Sequence, residues 1–193
     1  AGLGFALLAM PIMTLAVPVE EGVVIVATFG LATTAWQSIV LRRHTERPLA
    51  RRLIVFSFLG MPLGLVVLNV IDDRVLLMAL GVSVLVATWL LARRISLAHV
   101  GPGLDAACGF LSGLLNTSLA TNGPPLVFDL QGRGLEPERF RATIATVFVF
   151  SNVLAMLLFV ADGKVGGDEL LAVAVAAPAW ALGQGIGWPV RRH

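Results

Sequence analysis

Seven stretches of this chain, 1–19, 22–41, 53–71, 75–92, 106–128, 142–160 and 170–190, contain no Asp, Glu, Lys or Arg. Each holds roughly twenty residues, dominated by Leu, Val, Ala, Ile and Phe. A helix rises about 1.5 Å per residue, so runs of this length match a hydrocarbon layer of about 30 Å. Charged residues make up 13% of the chain, against about a quarter in soluble domains, and they sit in the connections between the apolar runs. The sequence reads as an all-α, polytopic helical membrane protein.

The same pattern excludes other classes. Arginines scattered between apolar segments form no basic stripe on a folded unit, so nucleic acid is not an expected partner. Cys108 is the only cysteine, which leaves no intramolecular disulfide, no CxxC pair and no thiolate metal cluster. No metal or cofactor is expected. The first stretch lacks a basic lead and an A-x-A cleavage site, so a signal peptide is not the expected reading of it. An intramembrane serine protease needs a nucleophile and a base within reach, yet His44, His99 and His193 lie in loops or at the end, and Ser112 has no visible partner. HExxH is absent. The chain is not expected to be an enzyme.

Loop charge orients the segments, because short loops rich in Lys and Arg stay cytoplasmic. The loop 42–52 carries Arg42, Arg43, Arg47, Arg51 and Arg52 against Glu46, which places it inside. Counting outward puts Glu20, Glu21 and Asp72-Asp73-Arg74 outside and Arg93-Arg94 inside. If 106–128 made one simple crossing, Arg133, Arg139 and Arg141 would fall outside, Asp162, Asp168 and Glu169 inside, and Arg191-Arg192 outside. All are corrected if 104–128 enters and leaves on the cytoplasmic side. Two legs of about 12 residues, about 18 Å each, would reach the bilayer middle without crossing.

The turn of such a hairpin falls in Asn116-Thr117-Ser118-Leu119-Ala120-Thr121-Asn122-Gly123-Pro124-Pro125. Non-helical backbone at membrane depth survives only where protein buries it or it lines a wet cavity, so this break is either a functional site or a loop outside the membrane. A helix restarting at Pro124 or Pro125, with Thr121 or Asn122 near its cap, presents a positive dipole end and free N–H groups from Gly123 onward, a site for an oxyanion that needs no full charge. Asn116, Thr117, Ser118, Thr121 and Asn122 add donors. Arg141, with Thr143 one step inside, is either a screen for the anion at the cytoplasmic mouth or a positive-inside anchor. Asp105 and Asp129 flank the hairpin and read as boundary residues.

Internal similarity is weak but ordered. Gly2-Leu3-Gly4-Phe5 followed by Pro11 answers Gly109-Phe110-Leu111-Ser112-Gly113 followed by Pro125, Pro18 answers Pro137, and Gly60 with Gly64 answers Gly183 with Gly187. This divides the chain into 1–103 and 104–193, each a broken, re-entrant segment plus three crossings. An odd number of crossings inverts the second repeat relative to the first, a common transporter plan. By this count a lead-in before residue 1 and a helix after residue 193 are expected. The paired glycines read as helix-packing surfaces. Trp36, Trp89 and Trp188 read as interfacial anchors, Trp180 as a core residue, and Gln37, Ser38, Asn69, Ser151 and Asn152 as interhelical hydrogen-bonding groups or path-lining ones.

GLGFALLAMP at 2–11, LGMPLG at 59–64 and GFLSGLLNTSLATNGPP at 109–125 followed by FRAT at 140–143 resemble the TauE/SafE sulfite-exporter family over essentially the whole chain. The resemblance implies a multi-pass permease of a prokaryotic inner membrane for small sulfur-containing anions such as sulfite, sulfonates or sulfoacetate, and it places a family arginine at Arg141. The first-half break at Met10-Pro11 lacks the polar cluster of the second, so the substrate is expected to lean on the second half. The partners expected are the anion and membrane lipids, with a homo-oligomer allowed. A passive anion channel or a structural subunit of a larger membrane complex is the alternative class.

Overall fold

The computed structural model describes residues 2–93 and 101–190. Arg94, His99, Arg191, Arg192 and His193 lie outside the described residues, as do the side chains of Arg93, Asp168, Glu169 and Trp188. The structure is 87% helix with no strand among the described residues, which establishes the all-α class. In chain order the elements are α1 (Gly2–Met13), α2 (Val19–Leu41), a 3-10 turn (Arg42–His44), α3 (Arg47–Val70), α4 (Asp73–Arg93), α5 (Pro102–Leu119), α6 (Gly123–Gly132), α7 (Pro137–Ala161) and α8 (Gly167–Val190). Among the described residues, three helices are long and apolar enough to cross a membrane by length and composition: α2 extended to His44, α3 and α7.

Side-chain contacts gather the helix ends into two groups. At the arginine-rich end, Thr45 Oγ1 meets Thr146 Oγ1 at 3.1 Å, the Glu46 N–H donates to Thr143 Oγ1 at 3.0 Å, and Arg139 pairs with Glu46. Arg52 reaches Asp105 at 2.9 Å, and Arg133 pairs with Asp105 and with Asp129. At the opposite end Lys164 pairs with Glu20 and Asp162, and Asn69 Nδ2 donates to Asp162 Oδ2 at 2.9 Å. So α3 and α7 start at the arginine-rich end, and α2 finishes there.

The Arg133–Asp105 pair joins the last residues of the α5–α6 hairpin to its first. Segment 104–128 therefore enters and leaves the bundle at one end. The legs are unequal, 18 and 10 residues, because the break sits at 120–122 rather than halfway. Asp105 lies about 22 Å of helix from the break and Arg133 about 16 Å, and the long arginine side chain closes the difference.

The first apolar stretch departs from expectation. α1 runs through Pro11 unbroken and ends at Met13, so the break expected at Met10-Pro11 is absent. A proline removes one N–H and crowds one carbonyl, a disturbance that neighbouring helices in a bundle absorb. The Thr14, Ala16 and Val17 N–H groups close the helix end on Met10 and Met13 carbonyls. The described part of α1 is about 18 Å long. Ala6 lines a cavity beside Ala120 and Asn122, while Met10 and Met13 pack against Gly22 near the start of α2. α1 thus runs from the hairpin tip toward the Glu20 end, opposite in sense to α6.

The closest packing is between α3 and α5. A Cβ built on Gly60 would overlap the Phe110 carbonyl oxygen, one on Gly64 the Leu114 carbonyl, one on Gly113 the Ser57 carbonyl, and one on Gly109 would stand 2.8 Å from the Leu53 carbonyl. Two small-xxx-small stripes face each other, letting backbones touch where lipid offers no hydrophobic drive. Thr117 Oγ1 donates across this seam to the Met61 carbonyl at 2.7 Å. Gly183, expected to play the part of Gly60, has nothing within 4 Å among the described residues.

Outside, the bundle is apolar. Leu59, Leu63 and Val66 on α3 and Leu157 and Val160 on α7 are exposed, while Ser57, Ser112, Asn116, Thr117, Thr121, Thr143 and Ser151 are buried. Polar groups inside and aliphatic groups outside suit a lipid surround. Ser57 and Ser151 hydrogen-bond each other at 3.1 Å. Trp180, expected in the core, is half-buried: it stacks on Phe29 at 5.6 Å and donates to Thr33 Oγ1 at 3.1 Å, whereas Trp36 and Trp89 are exposed.

Candidate functional site

α5 stops because Ala120 turns left-handed, at φ 50° and ψ 23°. It is the one non-glycine residue with positive φ among the described residues. The turn is closed by Ala120 N–H to the Asn116 carbonyl at 3.1 Å and Thr121 N–H to the Leu115 carbonyl at 3.2 Å. A Cβ in this conformation costs on the order of 1 kcal/mol, and such strain concentrates at functional positions. Ala120→Gly is expected to hold or raise the melting temperature of the detergent-solubilised protein, and Ala120→Val to lower it. A glycine variant that melts lower would contradict the strained turn.

α6 restarts at Gly123 with Pro124 and Pro125 in its first turn and Asn122 at the cap. The prolines suit the first turn through their fixed φ. They also remove two of the N–H groups that a helix start normally offers, which changes the chemistry read from the sequence. The backbone donors left at the break are the N–H groups of Asn122 and Gly123, which find no backbone acceptor among the described residues. The Asn122 side chain does not cap the helix. Side chains must therefore supply most of the donors.

They are in place. Asn116 Nδ2, Thr121 Oγ1 and Asn122 Nδ2 are buried and have no hydrogen-bond partner. An amide or hydroxyl in that condition costs about 1–3 kcal/mol, so three within seven residues is a strong departure from an ordinary turn. Their neighbours are satisfied: Ser112 Oγ donates to the Asn122 carbonyl at 2.9 Å, Ser118 Oγ to the Leu114 carbonyl at 2.8 Å, and Thr117 Oγ1 to Met61. Thr117 ties α5 to α3 and Ser118 bonds back within α5, so neither turns a free hydroxyl hydrogen toward the break. Both ends of the expected site are thus sorted by what their hydrogens already do.

The break faces a cavity of about 20 Å³ lined by Ala6, Val26, Ala27, Gly30, Thr34, Ala120, Asn122, Phe148 and Asn152. That is room for about one water, so the site is occluded in this conformation. Thr34 spends its hydroxyl hydrogen on the Gly30 carbonyl at 2.7 Å, which leaves the Asn122 and Asn152 amides as the polar wall. Thr34, Gly30 and Ala6 carry no motif that the sequence would expose; Asn152 stands out there only as an uncharged polar residue in an apolar run.

Arg141 and Thr143 are not brought to the break. Arg141 is exposed at the start of α7, and no hydrogen bond or ion pair holds it among the described residues. Thr143 is fully buried but receives the Glu46 N–H at the arginine-rich end. Asp105 and Asp129, read as boundary residues, are both 0% exposed. They are buried because Arg52 and Arg133 fold over them, and a buried carboxylate persists only when paired in this way.

A family model described as sulfite exporter TauE/SafE matches residues 1–193. No curated protein and no solved structure matches the chain.

Proposed function

The chain belongs to the sulfite exporter TauE/SafE family, a family of membrane transporters, and from that premise we propose that it carries small sulfur-containing anions, sulfite and sulfonates, through a site at the 120–123 helix break. The observation that carries this reading is the group of buried, unpartnered donors, Asn116 Nδ2, Thr121 Oγ1 and Asn122 Nδ2, beside the free N–H groups of Asn122 and Gly123. An oxyanion accepts several hydrogen bonds at once and satisfies them together. The positive end of α6 adds a favourable field, and Pro124 fixes its start. No charged side chain lines the cavity, so the anion is not held so tightly that release fails. Thr117 and Ser118 shape the break, and Arg141 and Thr143 serve the arginine-rich mouth.

The halves 1–103 and 104–193 act as inverted repeats in this reading. In support, Pro18, Phe29 and Thr33 answer Pro137, Phe148 and Asn152 at one constant separation of 119 positions, and α1 runs away from the hairpin tip toward one end while α6 runs toward the other. α1 then matches α6 and not α5. The positive-inside rule assigns the arginine-rich end to the cytoplasm of a prokaryotic inner membrane. Transport by alternating access about a midplane site follows from this plan.

Radiolabelled sulfite uptake into proteoliposomes, taken over a range of concentrations, tests the proposal. Saturation and counterflow are expected of a carrier. Flux that rises linearly without counterflow indicates the channel alternative, and no flux at all indicates a structural subunit.

A further inference from the structure

The arginine-rich end holds a second cavity, of about 330 Å³, lined by Glu46, Pro48, Leu49, Arg52, Arg133 and Leu135. From it we infer an outer anion-loading site on Arg52 and Arg133, which receives a small sulfonate or sulfite before it reaches the break. The inference rests on the transport reading above.

The two guanidinium groups are brought together by one carboxylate. Asp105, fully buried, takes Arg52 Nη1 on one oxygen and Arg133 Nη2 on the other. Arg133 Nε is taken by Asp129 Oδ1 at 3.2 Å. These bonds leave Nε and Nη2 of Arg52 and Nη1 of Arg133 uncommitted among the described residues. The pair is therefore locked in place by Asp105 while several N–H donors remain on the cavity side. A planar guanidinium with fixed donors binds an oxyanion as it binds a carboxylate.

The rest of the cavity favours the same occupant. Glu46, the one acidic wall residue, is engaged by Arg139, and Arg42, Arg43, Arg47 and Arg51 stand at the same end of the bundle, in the 3-10 turn and the first turns of α3. Such a basic mouth concentrates small anions and raises their rate of arrival. Arg52 and Arg133 have side chains 47% and 24% exposed, so an arriving anion meets them without a conformational change. Size separates the two sites: about 330 Å³ admits a partly hydrated anion, whereas the 20 Å³ at the break admits none until the bundle opens.

The test uses the purified full chain and ethanesulfonate, with equal concentrations of sodium chloride as the control. Phenylglyoxal modification is followed at each arginine by peptide mass spectrometry. Ethanesulfonate is expected to slow labelling of Arg52 and Arg133 several-fold, and to leave Arg74 at the opposite end unchanged. Protection should persist in the Thr121→Val/Asn122→Leu variant. In flux, Arg52→Gln is expected to raise the half-saturating concentration about tenfold at the arginine-rich face with a smaller change in maximal rate. Asp105 keeps Arg133 in that variant, so the fold is retained. Equal protection of Arg74, no protection of Arg52, or an unchanged half-saturation in Arg52→Gln would overturn the inference. Failure of the central site reads out separately, as undiminished flux in the Thr121→Val/Asn122→Leu variant.

Discussion

Gly113→Val is expected to leave no folded protein. The added Cβ would overlap the carbonyl oxygen of Ser57 and lie close to its carbonyl carbon and Cα. All three atoms belong to backbone, so no rotamer change relieves the overlap. Overpacking a core typically costs about 1–3 kcal/mol when side chains can give way, and here they cannot. Gly60 and Gly64 press on α5 in the same manner from the other side, so α3 and α5 would have to separate along their whole seam. Separation would also break the Thr117 hydroxyl bond to Met61 and withdraw support from the left-handed Ala120. Gly81→Val is the control, because nothing among the described residues lies within 4 Å of a Cβ there. In fluorescence-detected size exclusion the Gly81 variant should elute as one sharp peak and the Gly113 variant as aggregate. Similar profiles for the two would contradict the close seam.

Arg133→Leu is the second large loss. It leaves Asp105 with Arg52 alone and Asp129 with no cation, and both carboxylates are 0% exposed. Removing one partner of a buried ion pair costs about 3–5 kcal/mol, because the charge left behind is desolvated without compensation. The hairpin would also lose the clamp that ties its two ends. Melting of the solubilised protein should fall sharply, and the triple variant Asp105→Asn/Asp129→Asn/Arg133→Leu should recover most of the loss. If the triple variant melts no higher than Arg133→Leu, the damage comes from lost packing and the charge reading fails.

Charge placement made the membrane character and the fold-back of 104–128 legible before any coordinates. Loop arginines must lie on one side, and that requirement counts crossings. The hairpin break was legible within Asn116–Pro125, where cap residues, a glycine and two prolines cluster, and the structure narrows it to 120–122. What stayed hidden depends on three-dimensional partnership. Asp105 and Asp129 look like boundary residues in sequence, since nothing local says that Arg52, 53 positions away from Asp105, and Arg133 will cover them. Pro11 looks like a break, yet the bundle carries α1 through it. Thr117 and Ser118 look as free as Asn116 and Thr121, and only the position of the Met61 and Leu114 carbonyls separates them. Gly183 matches Gly60 in spacing but not in contact among the described residues. The proline pair was read as a helix start with free donors, and its own missing N–H groups reduce that supply. In the proposed site the donors are therefore chiefly the side chains of Asn116, Thr121 and Asn122.

The central claim is that these side chains hold the transported anion, and sulfite flux through the Thr121→Val/Asn122→Leu variant in proteoliposomes tests it most directly. Both substitutions replace groups that make no hydrogen bond among the described residues through Thr121 Oγ1 or Asn122 Nδ2, so expression should match wild type and melting should hold or rise. Loss of two donors to an anion, each bond about 1.5–3 kcal/mol, predicts flux reduced at least a hundredfold at low sulfite. Wild-type flux from a folded double variant would contradict the account.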